Sequence, residues 1–141
     1  VQHDDDLTAE GFWRRVAAKR AVAAALIDDK AYCVEAYIAA GFAVECALKA
    51  IIMRRNRWNA WPSARSAPGL HTHKLRDLFG EAGIDLATAP VALRAKLRQV
   101  LDWTRGHDYY AKRMPRAIAA SMSAAVFDDE GVIEWLKTMG K

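Results

Sequence analysis

The stretch Ala36 to Met53, AYIAAGFAVECALKAIIM, decides the fold. Wound as a helix, it is apolar on every side, and Glu45 and Lys49 are its only charges. A helix of that kind has to be covered from several directions, so the stretch is read as the central helix of a bundle. A membrane span is the other reading for so apolar a run. Two charges near its middle and the lack of an aromatic or basic flank on its N-terminal side argue against it. Gly41 costs about 1 kcal/mol relative to Ala in a helix interior, a cost easiest to accommodate where a neighbouring backbone comes close. Glu45 and Lys49 stand at i and i+4 in the favourable order, which predicts an ion pair on one side of the helix. The expected role of that pair is a salt bridge at a helix surface or interface, with no part in chemistry.

On the N-terminal side, Asp28, Asp29 and Lys30 predict a short break before the central helix begins near Ala31. Acids suit the start of the following helix better than the end of the preceding one. Upstream, Phe12, Val16, Ala23 and Ile27 recur at i, i+4, i+11 and i+15, with Asp6 or Thr8 as the cap of a first helix. The two helices should therefore run antiparallel through a tight connection. Arg14, Arg15 and Lys19 fall largely on other faces of the first helix. Residues 1–6, VQHDDD, form an acidic tail, unlike the basic start of a secretory signal, and the cytoplasm is the expected compartment. Cys33 and Cys46 lie near the two ends of one helix, too far apart to bridge, and read as reduced core residues.

On the C-terminal side the central helix runs out in Arg54, Arg55, Asn56 and Arg57, cations that suit the negative end of its dipole. Residues 58–70, WNAWPSARSAPGL, have no apolar periodicity and form a long loop. Trp58 and Trp61 staple that loop to the bundle or stand exposed to stack on a base or a partner. HTHKLRDLFGEAG then predicts a short helix with Leu75, Leu78 and Phe79 inward and a stop at Gly83. The His71/His73 pair has an H-x-H spacing with no third ligand nearby in sequence, so no metal site is assigned. Pro90 opens a further helix lined by Leu93, Leu97, Val100 and Thr104, ending or kinking near Gly106. Pro115 marks an irregular connection. A last helix should hold Met122, Val126, Val132, Trp135, Leu136 and Met139, with Gly131 as a tolerated weak point inside it.

Length and composition set the class. A chain of 141 residues reads as one domain, 1–141, able to bury a core without disulfides. Alternating β-branched runs are missing, so the expected class is all-α. The net charge of +4 is only mildly basic, but its distribution is uneven. Between Arg54 and Arg76 the ionised side chains are Arg54, Arg55, Arg57, Arg65, Lys74 and Arg76, with no acid until Asp77. A second basic stretch holds Arg94, Lys96, Arg98, Arg105, Lys112, Arg113 and Arg116, broken only by Asp102 and Asp108. If both face one way they make a surface for an anionic ligand, RNA or nucleotide; the alternative is two solvated faces.

The order of these features resembles the HEPN domain, a family of helical bundles. AGFAVECALKAII is similar to that family's A-x-x-x-E-x-x-L-K core helix, and THKLRDL to its H-x-L-x-x-L helix. Trp103 to Tyr110 and the terminal VIEWLK fit the same series, so the resemblance covers about Leu7 to Lys137. It implies an up-and-down bundle of four long helices plus a short one, commonly a homodimer. Ribonucleases of the family carry Arg, four to six residues, then His, and cleave without metal. Here His107 and Tyr109 resemble the H-x-Y end of that pattern, whereas Asp102 stands five positions before His107 and would repel a phosphate. Arg65 and His71 have the spacing but fall in the loop. The resemblance therefore implies a non-catalytic or weakly active member that binds RNA or nucleotide phosphate, or that pairs with a nucleotidyltransferase-like partner, without a cofactor. Arg54, Arg55, Arg57, Arg65, Lys74, Arg76, Lys112 and Arg113 are the expected nucleic-acid-binding residues. Two alternatives remain: a toxin-like endoribonuclease using Arg105, His107 and Tyr109, and a structural dimerisation module.

Overall fold

The computed structural model of the chain describes residues 7–103 and 114–140. Its regular elements are helices: α1 (Ala9–Leu26), α2 (Cys33–Asn56), α3 (Leu75–Glu81), α4 (Val91–Leu101), α5 (Arg116–Phe127) and α6 (Val132–Gly140), with 3-10 turns at Pro68–Leu70 and Leu86–Thr88. No strand occurs among the described residues. The all-α class read from the sequence therefore holds.

The central helix is α2. Every residue from Ala36 to Met53 is buried except Phe42 and Lys49, which are half-buried. It packs against α1, α3, α5 and α6, while α4 packs against α5 and α6. The helix is long and apolar enough to cross a bilayer, but 89% of its most apolar window is covered by the rest of the molecule. Its sides are therefore taken by protein.

The turn between α1 and α2 is built by Asp29. Its carboxylate accepts the amides of Ala31 and Tyr32, and its carbonyl accepts that of Cys33. Asp29 thus serves the start of α2, as its position implied. Thr8 caps α1, with the Gly11 amide donating to its hydroxyl at 3.0 Å. Lys49 of α2 lies over Phe12, and Lys19 of α1 lies over Phe42. Rising numbers on α1 thus meet falling numbers on α2, and the two helices are antiparallel. At its far end α2 stops with Arg57 in the left-handed region, φ 57°, and the Trp58 amide reaching back to the Met53 carbonyl.

Three expectations need correction. The close neighbour at Gly41 is a ring and not a backbone: a Cβ there would lie 1.9 Å from Cε2 of Trp103. The expected last helix is two helices. Asp128 is extended, the Gly131 amide closes on the Asp128 carbonyl at 2.8 Å, and a Cβ on Gly131 would lie 2.9 Å from three backbone oxygens. Gly131 is part of a tight corner and not a weak point within a helix. Helix α4 ends at Leu101, with the Trp103 amide on the Val100 carbonyl and the indole packed onto α2, while Thr104 and Gly106 lie outside the described residues. Among the described residues there are consequently two long helices, of 18 and 24 residues, and shorter ones of 11, 12 and 9 residues in α4, α5 and α6.

Candidate anionic-ligand site

Glu45 lies on the central helix and is only 3% exposed. A carboxylate removed from water needs partners for both oxygens. Lys49, one turn on, gives Nζ at 3.3 Å from Oε2, and His73 gives Nδ1 at 2.8 Å from Oε1. A carboxylate oxygen only accepts, so Nδ1 of His73 carries the hydrogen. His73 arrives from the connector between α2 and α3, and this contact ties the connector down on the bundle. The Glu45–Lys49 pair, expected at a helix surface or interface, lies where α2 meets the connector, and it has a third member in His73. The neighbouring Cys46 thiol is pushed up to about 11, by burial first and then by the Glu45 carboxylate, against the opposing pull of Lys49, Arg15 and Lys19. Arg15 and Lys19 therefore belong to the same electrostatic neighbourhood.

These cations rest on aromatic rings. The Arg15 guanidinium is 5.6 Å from the Phe12 centroid, and the Lys19 ammonium is 5.4 Å from that of Phe42. Lys49 is 5.3 Å from Trp61 and 5.9 Å from Phe12. The rings also meet one another, Phe12 with Trp61 at 5.7 Å and Phe42 with Trp103 at 5.6 Å and with His73 at 6.3 Å, all edge-to-face. A cation seated on a ring face is held in position while keeping its charge. Arg15, Lys19 and Lys49 outnumber the one carboxylate among them, and Lys74 follows His73 on the exposed connector. The cluster thus holds an excess of fixed positive charge on the α1–α2 face.

The residues singled out from the sequence are distributed differently. Arg54 donates to the Gly140 carbonyl at 3.0 Å, and Arg55 donates to the Ala82 carbonyl at 3.2 Å. Each ties the end of α2 to a carbonyl near the end of another helix, so both have a structural task. The Arg55 guanidinium occupies the space where Gly83, at φ 71°, would carry a side chain, with Nη1 only 1.1 Å from that Cβ position. Arg57, Arg65, Lys74 and Arg76 are exposed. Arg105, His107, Tyr109, Lys112 and Arg113 lie outside the described residues. The two connector histidines diverge: Nε2 of His71 donates to the Pro62 carbonyl at 2.9 Å, while His73 serves Glu45. Among the described residues no group of three or more His, Cys, Asp or Glu is placed to hold a metal ion.

The sequence reading missed Arg15 and Lys19 because it placed them only by their departure from the buried face of α1. It also treated His73 as half of an H-x-H pair. The available signal was Glu45 itself, since one acid on an otherwise apolar helix has to be compensated where it is buried. Trp61 does staple the connector, buried against Phe12, with its amide on the Leu7 carbonyl at 2.8 Å, whereas Trp58 stays at the surface. No protein-family model, curated protein or solved structure matches this chain.

Proposed function

We propose that the chain is a HEPN-like helical domain that binds RNA or a nucleotide through its phosphates, and that it acts as a binding module and not as a nuclease. The observation that carries this reading is the set of ring-seated cations Arg15, Lys19 and Lys49 gathered about one buried carboxylate on the α1–α2 face. Support for the family assignment comes from the sequence resemblance, and the all-α architecture is compatible with it. Glu45 and Lys49 hold the connector in register, and Arg15, Lys19 and Lys74 supply charge for the ligand.

The test is RNA binding by the wild-type chain and an Arg15→Gln/Lys19→Gln variant over a range of salt concentrations. Each lost phosphate contact lowers the slope of log K against log salt by about 0.7 for a single strand, so the double variant should lose about 1.4. An unchanged affinity and slope would remove these residues from the ligand surface. RNA should also remain intact in metal-free buffer. Cleavage that disappears in His107→Ala at unchanged affinity would replace the binding module with the endoribonuclease.

A further inference from the structure

Beside the cationic cluster, on the other flank of α1, lies a second constellation. Trp58 is 36% exposed, and it meets Trp61 edge-to-face at 6.4 Å and 79°. Trp61 is itself buried against Phe12. A fixed ring thus positions Trp58 while leaving much of its indole open. Before it lies a cavity of about 460 Å³ lined by Thr8, Ala9, Glu10, Arg14, Trp58 and Asn59. A second cavity of about 620 Å³ shares Ala9, Glu10 and Arg14 with it and continues towards Trp13 and Arg54. The groove therefore has an open indole near one end, a carboxylate and an amide beside it, and guanidinium groups along its length.

We propose that the Trp58 cavity is a nucleobase pocket: the indole stacks on the base, Glu10 and Asn59 read its edge, and Arg14 brings positive charge to the sugar–phosphate. The inference rests on the reading of the chain as an RNA or nucleotide binder, and it adds where the base is held and which base is preferred. An indole face and a planar heterocycle match in shape and polarisability, and such stacking accepts any base. The edge groups discriminate. A carboxylate only accepts, so the edge that meets Glu10 must donate. Guanine presents its N1–H and 2-amino hydrogens side by side, matching the two oxygens of one carboxylate, and its O6 accepts from an amide such as that of Asn59. Adenine offers only its 6-amino group as a donor on the corresponding edge. The pocket therefore prefers guanine. The ligand is a free guanine nucleotide or a guanine within a single strand, since a base paired in a duplex has its donor edge occupied.

The experiment titrates guanosine, adenosine, GMP and two single-stranded octamer RNAs, one with a single central guanine and one with adenine in its place. Titrations are run on the wild-type chain and on Trp58→Ala, Trp58→Phe and Glu10→Gln. Guanosine carries no phosphate, so it reports on the pocket without the cationic face. Guanosine should bind better than adenosine, and Trp58→Ala should weaken it about 10-fold, within the range measured for single base–aromatic stacks. Trp58→Phe should retain most of the binding, which also guards against loss of fold, and Glu10→Gln should abolish the preference for guanine. If Trp58→Ala removes the octamer's preference for guanine, the source is a strand; if it weakens GMP and leaves both octamers unchanged, the source is a free nucleotide. Guanosine that does not bind, with octamer affinity untouched by Trp58→Ala, overturns the pocket while leaving the phosphate-binding reading in place. Guanosine and GMP that bind in a Trp58-dependent way, with RNA affinity and salt slope unmoved by Arg15→Gln/Lys19→Gln, uphold the pocket and overturn the role of the cationic face.

Discussion

Replacing Glu45 with Ala tests the centre of the molecule. The side chain is 3% exposed and joins an ammonium at 3.3 Å to an imidazole at 2.8 Å. Removing the carboxylate leaves Lys49, whose side chain is 15% exposed, facing the core without its counter-charge, and releases His73 from α2. Losing one partner of a buried ion pair costs about 3–5 kcal/mol, against about 0–1 kcal/mol for a pair in water. With an unfolding entropy of about 2.1 cal/mol/K per residue, a chain of this length loses roughly 3–4 °C per kcal/mol, so Tm should fall by about 10–17 °C. The assay is thermal unfolding followed by far-UV circular dichroism, with the Glu45→Leu/Lys49→Leu double variant alongside. That variant removes both charges and should recover much of the loss, because an apolar replacement of similar volume needs no compensation. A shift below about 2 °C for Glu45→Ala would refute the reasoning and return the pair to the class of solvated surface bridges.

Two further outcomes follow from single residues. The Cys46 thiol is pushed up from 9.0 to about 11 in the folded chain, so between these values the folded state holds a proton that the unfolded state has lost. Stability should then be insensitive to this group below pH 9 and fall as pH rises towards 11, by a few kcal/mol at most. The loss is read as the difference between wild-type and Cys46→Ala denaturation curves, and coincident curves across that window would contradict it. Gly41→Ala gains about 1 kcal/mol in helix propensity, yet its Cβ would lie within the Trp103 indole, where overpacking costs about 1–3 kcal/mol. The expected net effect is a lower urea midpoint with reduced near-UV tryptophan dichroism, and a rise in the midpoint would refute it.

Much of this fold is local information. The apolar circumference of Ala36–Met53, the Asp29 turn and the inward Leu75, Leu78 and Phe79 are all consequences of periodicity and backbone chemistry within one segment. The sequence displays these directly, which is why the class and the central position of α2 were legible. The division at residues 128–131 was less so, because an isolated glycine between apolar residues is also tolerated inside a helix. The extended backbone of Asp128 and the packing of Gly131 against three carbonyl oxygens show that the chain turns there.

The candidate site belongs to the other category. Glu45 and Lys49 share a helix, but His73 is 28 residues further along, and the rings beneath Arg15, Lys19 and Lys49 come from α1, α2 and the connector. Nothing in a local pattern states which cation will rest on which ring, or that Arg54 and Arg55 will be used on carbonyls near the ends of other helices. The sequence by itself determined the all-α class, the central helix and the single acid on its apolar stretch. Tertiary structure decided which groups neutralise it, because charge compensation and cation–ring contacts depend on distances between segments that periodicity along the chain does not encode.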